Sequence, residues 1–332
     1  MMLGIIFGIL IGMIVMSCYF KRKKALEDEE VRKEIEDLLR RAKENPKKSI
    51  EIRADKLLNL NDDDFKLHTG MKKDVFFKML TYLEEVYDKC HENGSFKGTP
   101  VICRLVLAVT YWREYRPMRQ MGLDYDMPKS TICDCIKWVE IHLADWEEFK
   151  LEDIKSEIAK AKSLGIEVST IIGDVEEQPI ERPKINQEES YSGKKKRHTT
   201  KNQIIITENG DRILNFHNSK GTTHDFQILK DSNIIDGLNE LGINGKFDSG
   251  YQGVQKLLTN SSIPFKKSKY HELTEEEKNY NTNLSKKRIK VEHTNRELKI
   301  FRIMKETYRN HMNRYDSKVL IMCGIYNLNH KL

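Results

Sequence analysis

From Phe65 to about Ala144 apolar residues recur every three or four positions, as in Val75, Phe76, Met79, Leu80, Leu83 and Val86, the spacing of helices with one buried face. Gly94, Gly98 and Pro100 break the pattern once, and a further helix is predicted over about Val101–Arg113. Pro117–Val139 predicts two short helices around the turn Asp124-Tyr125-Asp126-Met127, with the Ser130 hydroxyl able to cap the second by accepting first-turn N–H groups. Two helices joined in this way suit any small three-helix domain. They also suit a helix-turn-helix, whose second helix, here Lys129 to His142, lies in a DNA major groove with its first turn over the bases. On that reading Lys129, Ser130, Thr131 and Lys137 contact DNA.

After a polar helical connector, Glu147–Leu164, the period changes from helical to alternating. Val168–Asp174 is a β-branched run suited to a buried strand, and Gln203–Thr207 with Arg212–Phe216 flank Asn209-Gly210, a strong hairpin signal. Ile243–Phe247 predicts another strand, and two helices, about Ser285–Lys305 and Ser317–His330, close the chain. Strands and helices in this order predict an α/β fold, a mixed sheet with flanking helices, preceded by the all-α part. The expected division is an apolar helix over 1–24, a charged helical spacer over 25–60, the helix-turn-helix domain over 61–146, a linker over 147–166 and the sheet domain over 167–332.

Leu3–Phe20 carries no charge and is followed by Lys21-Arg22-Lys23-Lys24, the length and flank of a single membrane span with the remainder on the cytoplasmic side. Either it anchors the chain at a membrane through residues 3–20, or it is foreign to the fold. Elsewhere, 33% charged and 39% hydrophobic residues over 332 positions exclude a multi-span membrane protein. The formal charge of +6 is a mild excess that hints at an anionic partner. Six cysteines without CxxC spacing fit free thiols in a reducing, cytoplasmic compartment.

Asp174 and Asp248 end predicted strands that would neighbour each other in one sheet, and Glu292 falls on the predicted helix Ser285–Lys305, on the side marked by Ile289 and Ile300. Each acid alone could be a surface group. Together, three converging carboxylates repel, and a pair of Mg²⁺ ions, which prefer oxygen ligands, would relieve them; Mn²⁺ accepts the same donors. Two such ions about 3.5–4 Å apart activate a water or 3′-hydroxyl and stabilise the leaving oxygen of a phosphodiester. Asp248 leads into Gly250-Tyr251-Gln252-Gly253, where glycine lets backbone approach a ligand or simply shapes a turn. His224-Asp225 either assists this site or caps a helix. Basic residues flank it on both sides, Lys194, Lys195, Lys196, Arg197 and Lys201 in one cluster and Lys286, Lys287, Arg288, Lys290, Arg296, Lys299 and Arg302 in another, as phosphate binding requires.

These residues resemble the DDE transposases of bacterial insertion sequences, in the branch similar to eukaryotic Harbinger nucleases. The likeness runs from Phe65-Lys66-Leu67-His68-Thr69-Gly70 to Cys323-Gly324-Ile325-Tyr326-Asn327-Leu328. Its specific pieces are Tyr191–Thr199, His224-Asp225, Asp248-Ser249-Gly250-Tyr251-Gln252-Gly253 and Arg288–His293, where Arg288, Glu292 and Lys299 have the family's Arg-x3-Glu-x6-Lys spacing. The resemblance implies a ribonuclease H-like catalytic fold with Asp174, Asp248 and Glu292 as catalytic, metal-binding triad, supported by His224, Asp225, Arg288 and Lys299. It also implies multimers that bind terminal inverted repeats, cleave to expose 3′-hydroxyls and join these to target DNA. The family's first motif, commonly Asp-Gly-Thr-Glu, reads Asp174-Val175-Glu176-Glu177 here, and its tyrosine position is Ser285. That departure and the apolar run motivate an alternative, a domesticated or decayed transposase acting as a DNA-binding protein at the membrane; a general nuclease with the same triad is a third reading.

Overall fold

The computed structural model describes residues 49–90, 98–268 and 271–331. The apolar run Leu3–Phe20, most of the charged spacer and Gly94 lie outside the described residues; within them, no helix is long and apolar enough to cross a membrane. The chain divides into two compact units, 1–52 and 53–332, and of the first only residues 49–52 are described.

Helices come first: α1 (Ser49–Leu58), α2 (Asp62–Thr69), α3 (Lys73–Cys90), α4 (Val101–Glu114), α5 (Met118–Tyr125) and α6 (Lys129–Ala144). Of the predicted stripe on α3, Val75, Phe76, Met79, Leu80 and Leu83 are buried. α4 is buried from Val101 to Trp112 on nearly every side and forms the centre of this part. The predicted turn between α5 and α6 forms, with Asp126 in the left-handed region. The Ser130 cap does not: Pro128 stands at the N-cap without any side-chain cap, its ring presetting the chain for the helix, and Ser130 is exposed within the first turn.

The connector differs from expectation. Only α7 (Ile154–Ser163) is helical there, started by Asp153, whose carboxylate accepts from the N–H groups of Lys155 and Ser156. Ile154, Ile158 and Ala161, at i, i+4 and i+7, form an apolar stripe that sinks into the sheet's core with Ile171, Ile205 and Leu214. Its buried Glu157 pairs with Arg212 at 2.7 Å.

The sheet and its helices follow as β1 (Thr170–Pro179), β2 (Tyr191–Ser192), β3 (Arg197–Thr207), β4 (Ile213–Lys220), α8 (Asp225–Asp231), α9 (Ile235–Glu240), β5 (Asn244–Lys246), β6 (Ser261–Ser262), α10 (Glu275–Leu298) and α11 (Tyr315–Lys331). The strands run β4-β3-β1-β5-β6, with β2 also paired to β3. β3 is antiparallel to β1 and β4, whereas β5 is parallel to β1 and β6 to β5. The mixed α/β expectation is met, and the Asn209-Gly210 turn joins β3 to β4 with Gly210 at φ +82°. β1 does not stop at Asp174: its polar second half, Glu176 to Pro179, is held as strand by pairing with Thr199–Asn202. α10 begins well before Ser285, at a capping box between Thr274 and Glu277. Its buried face is Leu284, Val291, Asn295 and Leu298, and Ile289 is 44% exposed, which corrects the stripe marked by Ile289.

α11 packs against both α6 and β4. At that joint the buried Glu140 accepts from the Trp112 indole at 3.1 Å and pairs with the buried Lys318 at 3.0 Å. Removing one partner of a buried pair strands the other charge. Glu140→Ala should therefore lower unfolding free energy by about 3–5 kcal/mol in chemical denaturation, and the double substitution Glu140→Leu with Lys318→Met should recover most of the loss; equal stability of Glu140→Ala and the parent would contradict this role for the pair.

Candidate active site

Asp174 lies mid-strand on β1, the central strand, with its side chain 20% exposed. Two residues of α10 hold its oxygens: Arg288 donates from Nη2 at 3.2 Å and Asn295 from Nδ2 at 3.1 Å. Burial pushes the Asp174 carboxyl up to about 6 against the pull of Arg288, and the charges of Asp248, Glu292 and Asp225 push it the same way. Four carboxylates thus share one electrostatic neighbourhood. Arg288, Glu292, Asn295 and Lys299 are spaced by four, three and four residues, so one face of α10 carries the first three and Lys299 continues it at the helix C-cap.

Asp248 stands two residues beyond β5 and caps a short 3₁₀ turn, accepting from the Gly250 N–H at 2.8 Å. Gly250 is needed here for space: a Cβ on it would lie 2.3 Å from Asp225 Oδ2 and 3.0 Å from Asp248 Oδ1. Asp225 opens α8 and stands beside Asp248 across Gly250, but the expected cap is not formed: His224, exposed, is the N-cap residue and no side chain caps the helix. Lys201 of β3 pairs with Asp225 at 2.9 Å and donates to the Thr223 carbonyl at 2.7 Å. Beneath the acids, the buried Tyr251 hydroxyl donates to Gln203 Oε1 at 3.1 Å, and burial followed by Asp174, Asp225 and Asp248 raises its phenol well above the ordinary value.

Asp174 and Asp248 are linked one residue upstream of each. The Phe247 ring fills the space left by two glycines: a Cβ on Gly173 would meet it at 2.6 Å and one on Gly245 at 2.5 Å. Adjacent parallel strands β1 and β5 therefore lie close where their acids emerge.

Glu292 is exposed and lines, with Asp174, a cleft of about 790 Å³. Lys299 also lines it, paired with Glu176; burial and the neighbouring Lys305 lower its ammonium, and Asp174 raises it. The donors near Asp174 are hard carboxylate oxygens whose mutual repulsion a cation would relieve, so their chemistry suits a divalent metal ion. Among the described residues, no three Asp, Glu, His or Cys side chains already stand together as a ligand set. The five described cysteines are free thiols, as expected.

The sequence-predicted DNA residues lie elsewhere. Lys129, Ser130 and Lys137 are exposed and Thr131 half-buried on α6, while Lys194, Lys195 and Lys196 are exposed in the turn from β2 to β3 and Arg197 is exposed at the start of β3. Sequence reading missed Asn295, although its place one turn beyond Glu292 could have found it. It also missed Gly173, Gly245 and Gln203, whose roles arise from packing between distant segments and leave no local signal.

Residues 174–327 match the family model described as DDE superfamily endonuclease. Among curated proteins, the probable transposase for insertion sequence element IS702 of Microchaete diplosiphon is 34% identical over 276 residues, covering 83% of this chain and 98% of that protein. No solved structure matches. The matched span begins at Asp174 and takes in Asp248 and Glu292, and the likeness to the IS702 protein extends well beyond it: the chain belongs to the DDE-superfamily transposases of insertion sequences.

Proposed function

We propose that this chain cleaves DNA at the ends of an insertion sequence and joins the freed 3′ ends to target DNA, using divalent metal ions, Mg²⁺ or Mn²⁺, at Asp174, Asp248 and Glu292. The observation that carries the reading is the pairing of Asp174 on β1 with Asp248 after β5 through the Phe247 ring, with Glu292 on the facing helix lining the same cleft as Asp174. A ribonuclease H-like fold is supported by three antiparallel strands continued by two parallel ones on the far side of β1.

Ions bound there supply Lewis-acid activation of a water or 3′-hydroxyl and charge for the leaving oxygen. The chain's own residues do the rest. Arg288 and Asn295 orient Asp174, Gly250 lets Asp225 and Asp248 approach each other, and Lys201 offsets part of the Asp225 charge. The exposed face of α6, with Lys129, Ser130 and Lys137, suits a recognition helix in the major groove, packed on α5 across the short turn. The basic β2–β3 turn with the start of β3, Lys194 to Arg197, adds phosphate contacts. Transposition joins two ends, so the working species is an oligomer of this chain.

Asp248→Ala and Glu292→Gln should each abolish Mg²⁺- or Mn²⁺-dependent cleavage of DNA carrying the element's terminal repeats, while gel-shift binding of the same DNA persists. Undiminished cleavage by either variant refutes the site. Gly173→Ala must displace the Phe247 ring, and a shift of about 1 Å between reacting groups costs on the order of 10²-fold; cleavage should slow to that extent with DNA binding retained, and a variant as fast as the parent would show the glycine to be dispensable.

A further inference from the structure

The cleft beside the acids has a second wall, of which the sequence marked only Arg296, Lys299 and Arg302. Besides Asp174, Glu176 and Glu292 it is lined by Arg113, Arg296, Lys299, Arg302 and Lys305, five cations against three carboxylates. Arg113 comes from α4, at the centre of the helical part, and its guanidinium reaches across to donate to the Ile300 carbonyl at 2.5 Å and to the Leu67 carbonyl at 3.1 Å. Both acceptors are neutral, so the charge itself is left for the cleft. Arg302 pairs with Glu306 at 2.6 Å and Lys299 with Glu176, but among the described residues neither Arg296 nor Lys305 has an ion-pair partner. Both are exposed, and Lys305 stands close enough to Lys299 to repel it.

Exposed cations on one wall of a cleft raise the local concentration of anions there, and these line the same cleft as Asp174 and Glu292. A cleft of about 790 Å³ is of the size that encloses one drug-sized molecule, the bulk of a few nucleotides rather than the width of a duplex. We infer that this cleft is a track for a single DNA strand, in which Arg113, Arg296, Arg302 and Lys305 hold phosphates of the strand leading to the reacting phosphodiester. The inference rests on the proposed acidic site and names how its substrate is held. It also gives the helical part a share in that grip, through Arg113, apart from the face of α6.

The test uses the full chain in EDTA, so that no cleavage occurs, with a fluorescent single-stranded oligo-dT and a duplex of equal length as probes. Arg296→Ala and Lys305→Ala remove exposed side chains that anchor nothing in the fold. Each should weaken oligo-dT binding about fivefold at about 0.1 M salt and reduce the slope of log affinity against log salt by about 0.7, the value of one single-strand phosphate contact. Duplex affinity should change less. Unchanged oligo-dT affinity and slope, or an equal loss for the duplex, would overturn the track. Cleavage by the parent with Mg²⁺ is measured separately: a parent that does not cleave while these variants still lose slope leaves the track standing and defeats the metal-nuclease reading, whereas a cleaving parent with unaltered variant binding defeats the track alone.

Discussion

A carboxylate taken out of water needs partners, and Asp174 draws both of its own from one helix. Arg288 and Asn295 are two turns apart on α10, so satisfying Asp174 fixes the rotation of that helix about its axis. With that rotation set, Glu292 faces the cleft, Lys299 reaches Glu176, and Val291 and Leu298 turn inward. The polarity of α10 follows from the same demand. A helix with so little apolar surface packs because one buried charge requires it, and its exposed lysines and arginines remain on the rim.

The helical and sheet parts share their joints instead of being tethered by a linker. α7 places its apolar stripe in the sheet's core, α11 touches both α6 and β4, and Glu140 ties Trp112 of α4 to Lys318 of α11. Arg113 fastens α4 to the segment after α10 through the Ile300 carbonyl. A buried charge pair of this kind adds little net stability over an apolar pair, but stranding either of its charges is costly. In this molecule the pair and Arg113 together join α4 to α11 and to the segment after α10.

Much of this was legible in the sequence, and what was not has a common cause. Helical periodicity in α3, the Asn209-Gly210 turn and the β-branched run before Asp174 are local signals, and each formed where expected. The end of β1 was misjudged because Glu176 to Pro179 has no strand preference of its own; pairing with β3 imposes it. α7 reads as part of a polar connector because a few apolar residues among lysines are a weak signal until a core is there to receive them. Asp174, Asp248 and Glu292 stand out in the sequence through strand ends and motif spacing, whereas Asn295, Gly173 and Gly245 matter only through contacts with residues far away in sequence.

The altered first motif, Asp174-Val175-Glu176-Glu177, becomes intelligible in the same terms. Alternate residues of a strand share a face, so Asp174, Glu176 and Gln178 form one column while Val175 packs against the hydrophobic core opposite. Each member of the column is tied to the C-terminal segment: Asp174 to Arg288 and Asn295, Glu176 to Lys299, and Gln178, which donates to the Ile303 carbonyl at 2.6 Å. Glu177, on the opposite side, accepts from the Thr199 hydroxyl of β3 at 3.1 Å. Val175 therefore serves the core, and Glu176 adds a tie between β1 and the end of α10 at the depth of the cleft. The departure from the family pattern leaves the surroundings of Asp174 ordered, because every replaced position has a partner of matching chemistry on the element it faces.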